Sequence, residues 1–132
     1  MRKDICVHLI DENPSARTGL VRLLNAAGYK VRSYKSADDF LNDYHSGDSD
    51  CIVMDAYMTG ISGEDLMSEL AVRGLDLPVI ITYSTDDEAV KRLSWVSGPR
   101  YFFRKPVDGT ALIDAIDGLL ISNSKKAPEH NN

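Results

Sequence analysis

Five residues at four places in this chain have side chains whose chemistry demands an explanation: the acidic pair Asp11-Glu12, then Asp55, Thr82 and Lys105. Each closes or follows a short apolar or aromatic run: Ile5 to Ile10, Cys51 to Met54, Val79 to Thr82, and Tyr101 to Arg104. If those runs are neighbouring strands, three carboxylates converge in one crevice, where like charges raise one another's pKa and a lowered dielectric sharpens the repulsion. A cation must then be held there. Hard oxygen donors in this number suit Mg²⁺, which takes one or two protein carboxylates, keeps waters and shares phosphate oxygens with a substrate. Lys105 adds an ammonium and Thr82 a hydroxyl. The set fits a phosphoryl group: a metal, an ammonium and a hydroxyl to neutralise its oxygens, and a carboxylate to attack in line.

The elements that must position these groups are legible from periodicity. Continuous apolar runs read as strands buried on both faces of a parallel sheet. Tyr29 to Tyr34 alternates and suits an edge strand, and Tyr101 to Arg104 is ended by Lys105-Pro106, where the ring excludes a central ladder. Between them lie helical stripes. Leu20, Leu23, Leu24 and Ala27 follow Pro14, with Gly28 as the stop. Ser36 caps a short helix through Phe40, Leu41 and Tyr44, and Ser62 opens one carrying Leu66, Leu70 and Ala71. Thr85 and Glu88 have capping-box spacing before Ala89, Val90, Leu93 and Val96, and Asp108 starts the stripe Leu112, Ile113, Ile116, Leu119 and Leu120. Asp11 and Glu12 also suit the N-terminus of the first helix.

Five β-α repeats with short connections give right-handed crossovers and a doubly wound α/β sheet, a three-layer sandwich of the flavodoxin-like kind with strand order 2-1-3-4-5. That order sets the first and third strands side by side at the switch point, where ligands bind beyond the carboxyl ends. Residues 1–121 read as one domain and 122–132 as a polar tail or linker, since the run from Ser-Asn-Ser-Lys-Lys to the C-terminus has nothing to bury.

With 132 residues, 15 Lys+Arg against 20 Asp+Glu and a net charge of -5, the chain has the size of one domain and no basic footprint for nucleic acid. A hydrophobic share of 43% and a charged share of 27% exclude a disordered or low-complexity chain. No apolar run reaches membrane-spanning length and no secretory signal opens the chain, so a cytoplasmic protein is expected. Cys6 and Cys51 are too few and too far apart to make a disulfide scaffold or a zinc site by themselves; both read as small buried thiols. His8, between apolar neighbours, reads as a satisfied strand histidine, and His45 and His130 read as exposed.

Asp11-Glu12, Asp55 with Gly63 eight residues on, Thr82 after an apolar strand, and Lys105-Pro106 after an aromatic one, in that order, resemble the receiver domain of bacterial two-component response regulators. The resemblance spans about residues 5 to 121. It implies that Asp55 accepts a phosphoryl group from a sensor histidine kinase or phosphotransfer protein. It further implies that Asp11, Glu12, Asp55 and the Tyr57 carbonyl hold Mg²⁺, that Lys105 pairs with the phosphoryl oxygens, and that the Lys105-Pro106 bond is cis. Thr82 and Phe102 would be the switch pair, and a homodimer would form through the fourth helix, fifth strand and fifth helix, with Trp95, Arg100 and Arg104 on that face. Three positions depart from the family's pattern: Glu12 for the usual Asp, Thr59 for the usual Pro, implying a looser loop, and Tyr83 for a small residue, implying a gate or lid on the pocket.

Two other function classes share the fold. A haloacid-dehalogenase-type phosphatase also uses a strand-end Asp, but Asp55-Ala56-Tyr57-Met58-Thr59 lacks the second acid of Asp-x-Asp-x-Thr. A pseudo-receiver would keep the surface and drop the chemistry, with Glu12 and Tyr83 as its support. A flavin site is disfavoured by the acidic loop Asp11-Glu12-Asn13-Pro14.

Overall fold

The computed structural model describes residues 5–44, 50–85, 88–96 and 98–129, with side chains described as far as Leu119. His45 and His130 lie outside the described residues. The sheet is assembled from β1 (Cys6–Ile10), β2 (Lys30–Tyr34), β3 (Asp50–Asp55), β4 (Val79–Tyr83) and β5 (Pro99–Arg104), alternating with α1 (Pro14–Ala26), α2 (Ala37–Asp43), α3 (Gly63–Val72), α4 (Glu88–Ser94) and α5 (Gly109–Glu129). All strand pairs are parallel, in the order β2-β1-β3-β4-β5.

Strand side chains point alternately to the two faces, and each face has its own core. Ile10, Ile52, Met54, Val79 and Ile81 pack with Phe40 of α2, Leu66 and Leu70 of α3, and Val90 and Leu93 of α4. Val7, Leu9, Cys51, Val53 and Ile80 pack with Leu24 of α1 and Leu112 and Ile116 of α5. The sandwich is therefore α2, α3 and α4 on one side and α1 and α5 on the other.

The helix starts obey the local chemistry. Ser36 accepts from the Asp39 N–H and Ser62 from the Asp65 N–H. The cap of α1 is neither Asp11 nor Glu12: Asn13 accepts from the Ala16 N–H, and Pro14 takes the first helical position, where its missing N–H costs nothing. Gly28, at φ 97°, ends the turn after α1, a conformation only glycine adopts freely. Space is tight at Gly63, where a Cβ would lie 3.0 Å from both Leu93 Cδ1 and Met54 Cε and would have to push those side-chain ends aside.

The backbone of α5 is helical past Ile121 as far as Glu129, through the good helix-forming Lys-Lys-Ala. Three local readings are corrected. Trp95 falls just after α4, which ends at Ser94. Cys51 is buried, but Cys6, at the start of β1, is only half-buried. His8 is buried at 3% exposure, yet its Nε2 has no hydrogen-bond partner. Among the described residues no helix is long and apolar enough to cross a membrane.

Candidate functional site

Strand register brings the chemistry-bearing residues together. Ile10 pairs with Met54, so Asp11 and Asp55 are the next residues on adjacent strands, and Asp55 pairs with Thr82. Alternation then orients them: Asp11 comes after Val7 and Leu9, Asp55 after Cys51 and Val53, and Thr82 after Ile80, all on the face of α1 and α5.

Lys105 completes the group from the end of β5. Its Nζ lies 2.9 Å from Asp11 Oδ2 and 2.9 Å from Asp55 Oδ2, donating to both. Asp11 is 1% exposed, and such a buried carboxylate needs a counter-charge. Burial works to lower the Lys105 ammonium, but the hydrogen bonds to Asp11 and Asp55 outweigh it and carry its pKa above the ordinary lysine value. The other carboxylate oxygens meet backbone: Asp11 Oδ1 accepts from Asn13 N–H at 2.9 Å and Asp55 Oδ1 from Tyr57 N–H at 3.1 Å. Each oxygen keeps a lone pair, so this all-oxygen donor set suits a hard divalent cation such as Mg²⁺.

Glu12 is placed differently from the sequence expectation of three converging carboxylates. Its Oε2 accepts from both the N–H and, at 2.5 Å, the hydroxyl of Thr59. Those bonds, the hydroxyl's first, hold the Glu12 carboxyl below the ordinary glutamate range. Two of the departures from the family pattern thus meet: a proline at position 59 would have no N–H to give. The loop after β3, expected to be looser for want of that proline, is tied to the end of β1 instead.

The remaining positions fall around this centre. Tyr57 is 54% exposed, and its N–H bond to Asp55 turns the loop back on the strand end. Thr82 is buried at 1% exposure beside Asp55. Tyr83 and Phe102 are half-buried against the α2-α3-α4 core, and the Arg104 guanidinium lies 6.0 Å from the Tyr83 ring centroid. Lys105-Pro106 is cis. Sequence reasoning missed Arg17, whose guanidinium donates at 2.6 Å to the Asp11 carbonyl and at 3.4 Å to that of Glu12. Arg17 meets only main-chain oxygens, five and six residues back, so no side-chain spacing in the sequence signals it.

A family model of the response regulator receiver domain matches residues 7–117. The chain belongs to that family. As a receiver it is 33% identical over 125 residues to the transcriptional regulatory protein TdiR of Thauera aromatica, with 95% of this chain and 55% of TdiR covered. It is 35% identical over 116 residues to the transcriptional regulatory protein FixJ of Azorhizobium caulinodans, covering 88% of this chain and 55% of FixJ. Among solved structures, FixJ-N superposes with a TM-score of 0.75 at 27% identity, covering 86% of this chain and 90% of that one. The receiver spans about half the length of the curated relatives it matches.

Proposed function

We propose that Asp55 is the phosphoacceptor of a two-component signalling pathway and that its donor is the phosphohistidine of a sensor kinase or phosphotransfer protein. The observation that supports this best is the Lys105 ammonium, 2.9 Å from each of Asp11 and Asp55 at the ends of adjacent strands. An Asp55 carboxylate oxygen bonds to phosphorus as the phosphorus–nitrogen bond breaks, and the departing imidazole nitrogen takes a proton from solvent. Lys105 neutralises oxygens of the transferred group. Mg²⁺, held by Asp11, Asp55, the Tyr57 carbonyl and Glu12 released from Thr59, would supply further charge neutralisation. The reaction is the domain's own modification, so the role is that of a switch rather than of an enzyme with a free substrate.

Thr82 moves with the phosphoryl group, and Phe102 fills the space it leaves, shifting the population of the α4-β5-α5 face. Tyr83, next to Thr82 at the end of β4, gates the approach of donors. The relatives are transcriptional regulators, and we extend that role to the protein carrying this domain. The acidic domain itself has no nucleic-acid footprint, and a cytoplasmic location fits a kinase partner inside the cell.

Incubation with acetyl phosphate and Mg²⁺ and then intact mass measurement tests this reading. A single phosphoryl adduct is expected, absent in Asp55→Asn and formed faster in Tyr83→Ala. Continuous phosphate release would favour the phosphatase reading, and no adduct the pseudo-receiver.

A further inference from the structure

At the opposite end of the sheet from Asp55, Cys6, His8 and Asp50 share one face. Cys6 and His8 are two apart on β1 and so point the same way, and Cys6 is in register with Asp50 at the start of β3. A thiol sulfur, an imidazole nitrogen and a carboxylate oxygen from these residues all lie within 4.8 Å of one another. Among the described residues theirs is the only such group of three or more.

The His8 ring is fixed by packing, stacked with Tyr34 at 6.1 Å and edge-on to Phe40 at 5.4 Å and Tyr44 at 5.1 Å between centroids. A polar relay leads away from the ring. The Tyr34 hydroxyl donates to Asp43 Oδ2 at 2.9 Å, and Arg32 Nη1 lies 3.1 Å from the same oxygen. Tyr34 Oη in turn lies 3.5 Å from His8 Nδ1. On the other side of the ring Nε2 faces Asp50 Oδ2 at 3.4 Å in a buried site, without a hydrogen bond. Such an arrangement calls for a cation between them.

We propose that Cys6 Sγ, His8 Nε2 and the Asp50 carboxylate bind a transition-metal ion of the Zn²⁺ class. Thiolate, neutral imidazole and carboxylate are the ligands such ions prefer, and an alkaline-earth ion would not select the sulfur. Tetrahedral bonds of about 2.0–2.3 Å place ligand atoms roughly 3.3–3.8 Å apart. The His8–Asp50 pair already has that spacing, and Cys6 Sγ lies within 4.8 Å of both ligand atoms. Half-buried Cys6 leaves a route for entry, the fourth position falls to water, and the thiol proton leaves to solvent on binding. The Arg32–Asp43–Tyr34 relay is the outer layer that orients the histidine. The site clamps β1 to β3 far from Asp55 and does not depend on the phosphoacceptor reading.

The test uses the full 132-residue chain. Zn²⁺ is titrated against a chromophoric chelator, and Co²⁺ is substituted as a spectroscopic probe. One equivalent of Zn²⁺ should bind, with a sulfur-to-cobalt charge-transfer band and tetrahedral d–d absorption. Cys6→Ser should abolish that band and weaken Zn²⁺ at least about tenfold, as should Asp50→Asn with the band retained. Half-buried Cys6 makes its variant the one expected to fold normally, which circular dichroism checks. Asp55→Asn and excess Mg²⁺ should leave the site intact. Absence of stoichiometric Zn²⁺, binding indifferent to Cys6→Ser, or binding lost with Asp55→Asn would each overturn the proposal, the last by moving the ion to the acidic pocket.

Discussion

At the scale of single residues, the site is a balance of charge around Lys105. Removing that ammonium leaves Asp11, almost wholly buried, facing Asp55 with no counter-charge. Lys105→Met should therefore cost about 1–3 kcal/mol of stability in chelator, the range for stranding a buried polar or charged group, and Mg²⁺ should restore part of it. Urea unfolding with and without Mg²⁺ decides this; equal losses in both would mean that no divalent cation takes the ammonium's place. Thr59 sets the second balance. Thr59→Ala removes the hydroxyl that contributes most to lowering Glu12, so the carboxyl should titrate closer to its ordinary value. A lowered carboxyl pKa stabilises the fold above the ordinary glutamate value of about 4.3, and that contribution fades as pH falls through the lowered one. At neutral pH the freed carboxylate should raise Mg²⁺ affinity severalfold, measured by calorimetry; unchanged affinity would place Glu12 outside the metal's reach. The strand-end residues Asp11, Asp55, Thr82 and Lys105 were legible because strand order and side-chain alternation alone bring them together. The Glu12–Thr59 tie was not, since it is a loop contact 47 residues apart in sequence that no periodicity encodes.

At the scale of elements, the parts are unequally held. The central strands β1, β3 and β4 bury nearly every residue, whereas α4 has seven residues and only Val90 and Leu93 buried. Its further tie to α3 is the exposed Arg92–Glu64 pair at 2.7 Å, a kind of contact worth little in water. An element with few buried contacts opens at low free energy, and elements that move in switching are drawn from that end. Native-state hydrogen exchange should find the α4 amides exchanging faster than those of β1, β3 and β4, with phosphorylation changing protection in α4 more than in α1. Uniform protection across α4 and the sheet would argue against a switch built on that helix. Strands of continuous apolar residues and serine-capped helices were readable because the signals are local. The ends of α4 and α5 were not: seven residues give a weak period, and α5 has no Gly or Pro at Ile121 to stop a helix whose apolar stripe has run out.

At the scale of the molecule, the sheet ends on β2 at one edge and on β5 at the other. β5 is an edge strand, and a register shift against β4 between Val79 and Ile80 leaves Arg100 as the extra, outward residue. Tyr101 on that strand is 44% exposed and Arg100 and Arg104 are exposed with it, while Trp95, just after α4, is 81% exposed. Tyr101 was absent from the sequence reading of this face because an aromatic strand reads as core until the strand is known to lie at an edge. Exposed aromatic and arginine side chains are the composition of interface anchors. Two copies meeting through α4, β5 and α5 would bury this edge and remove the aggregation risk that an open strand carries. Phosphorylation with acetyl phosphate and Mg²⁺ should accordingly raise the sedimentation coefficient to that of a dimer, and Trp95→Ala should weaken the association by about tenfold or more, the usual cost of truncating an aromatic anchor. Because Trp95 is exposed and outside both cores, the substitution should leave thermal stability and the phosphoryl adduct unchanged. A phosphorylated protein that sediments as a monomer, or a Trp95→Ala variant that dimerises as tightly as the parent, would assign the exposed edge to a partner other than a second copy.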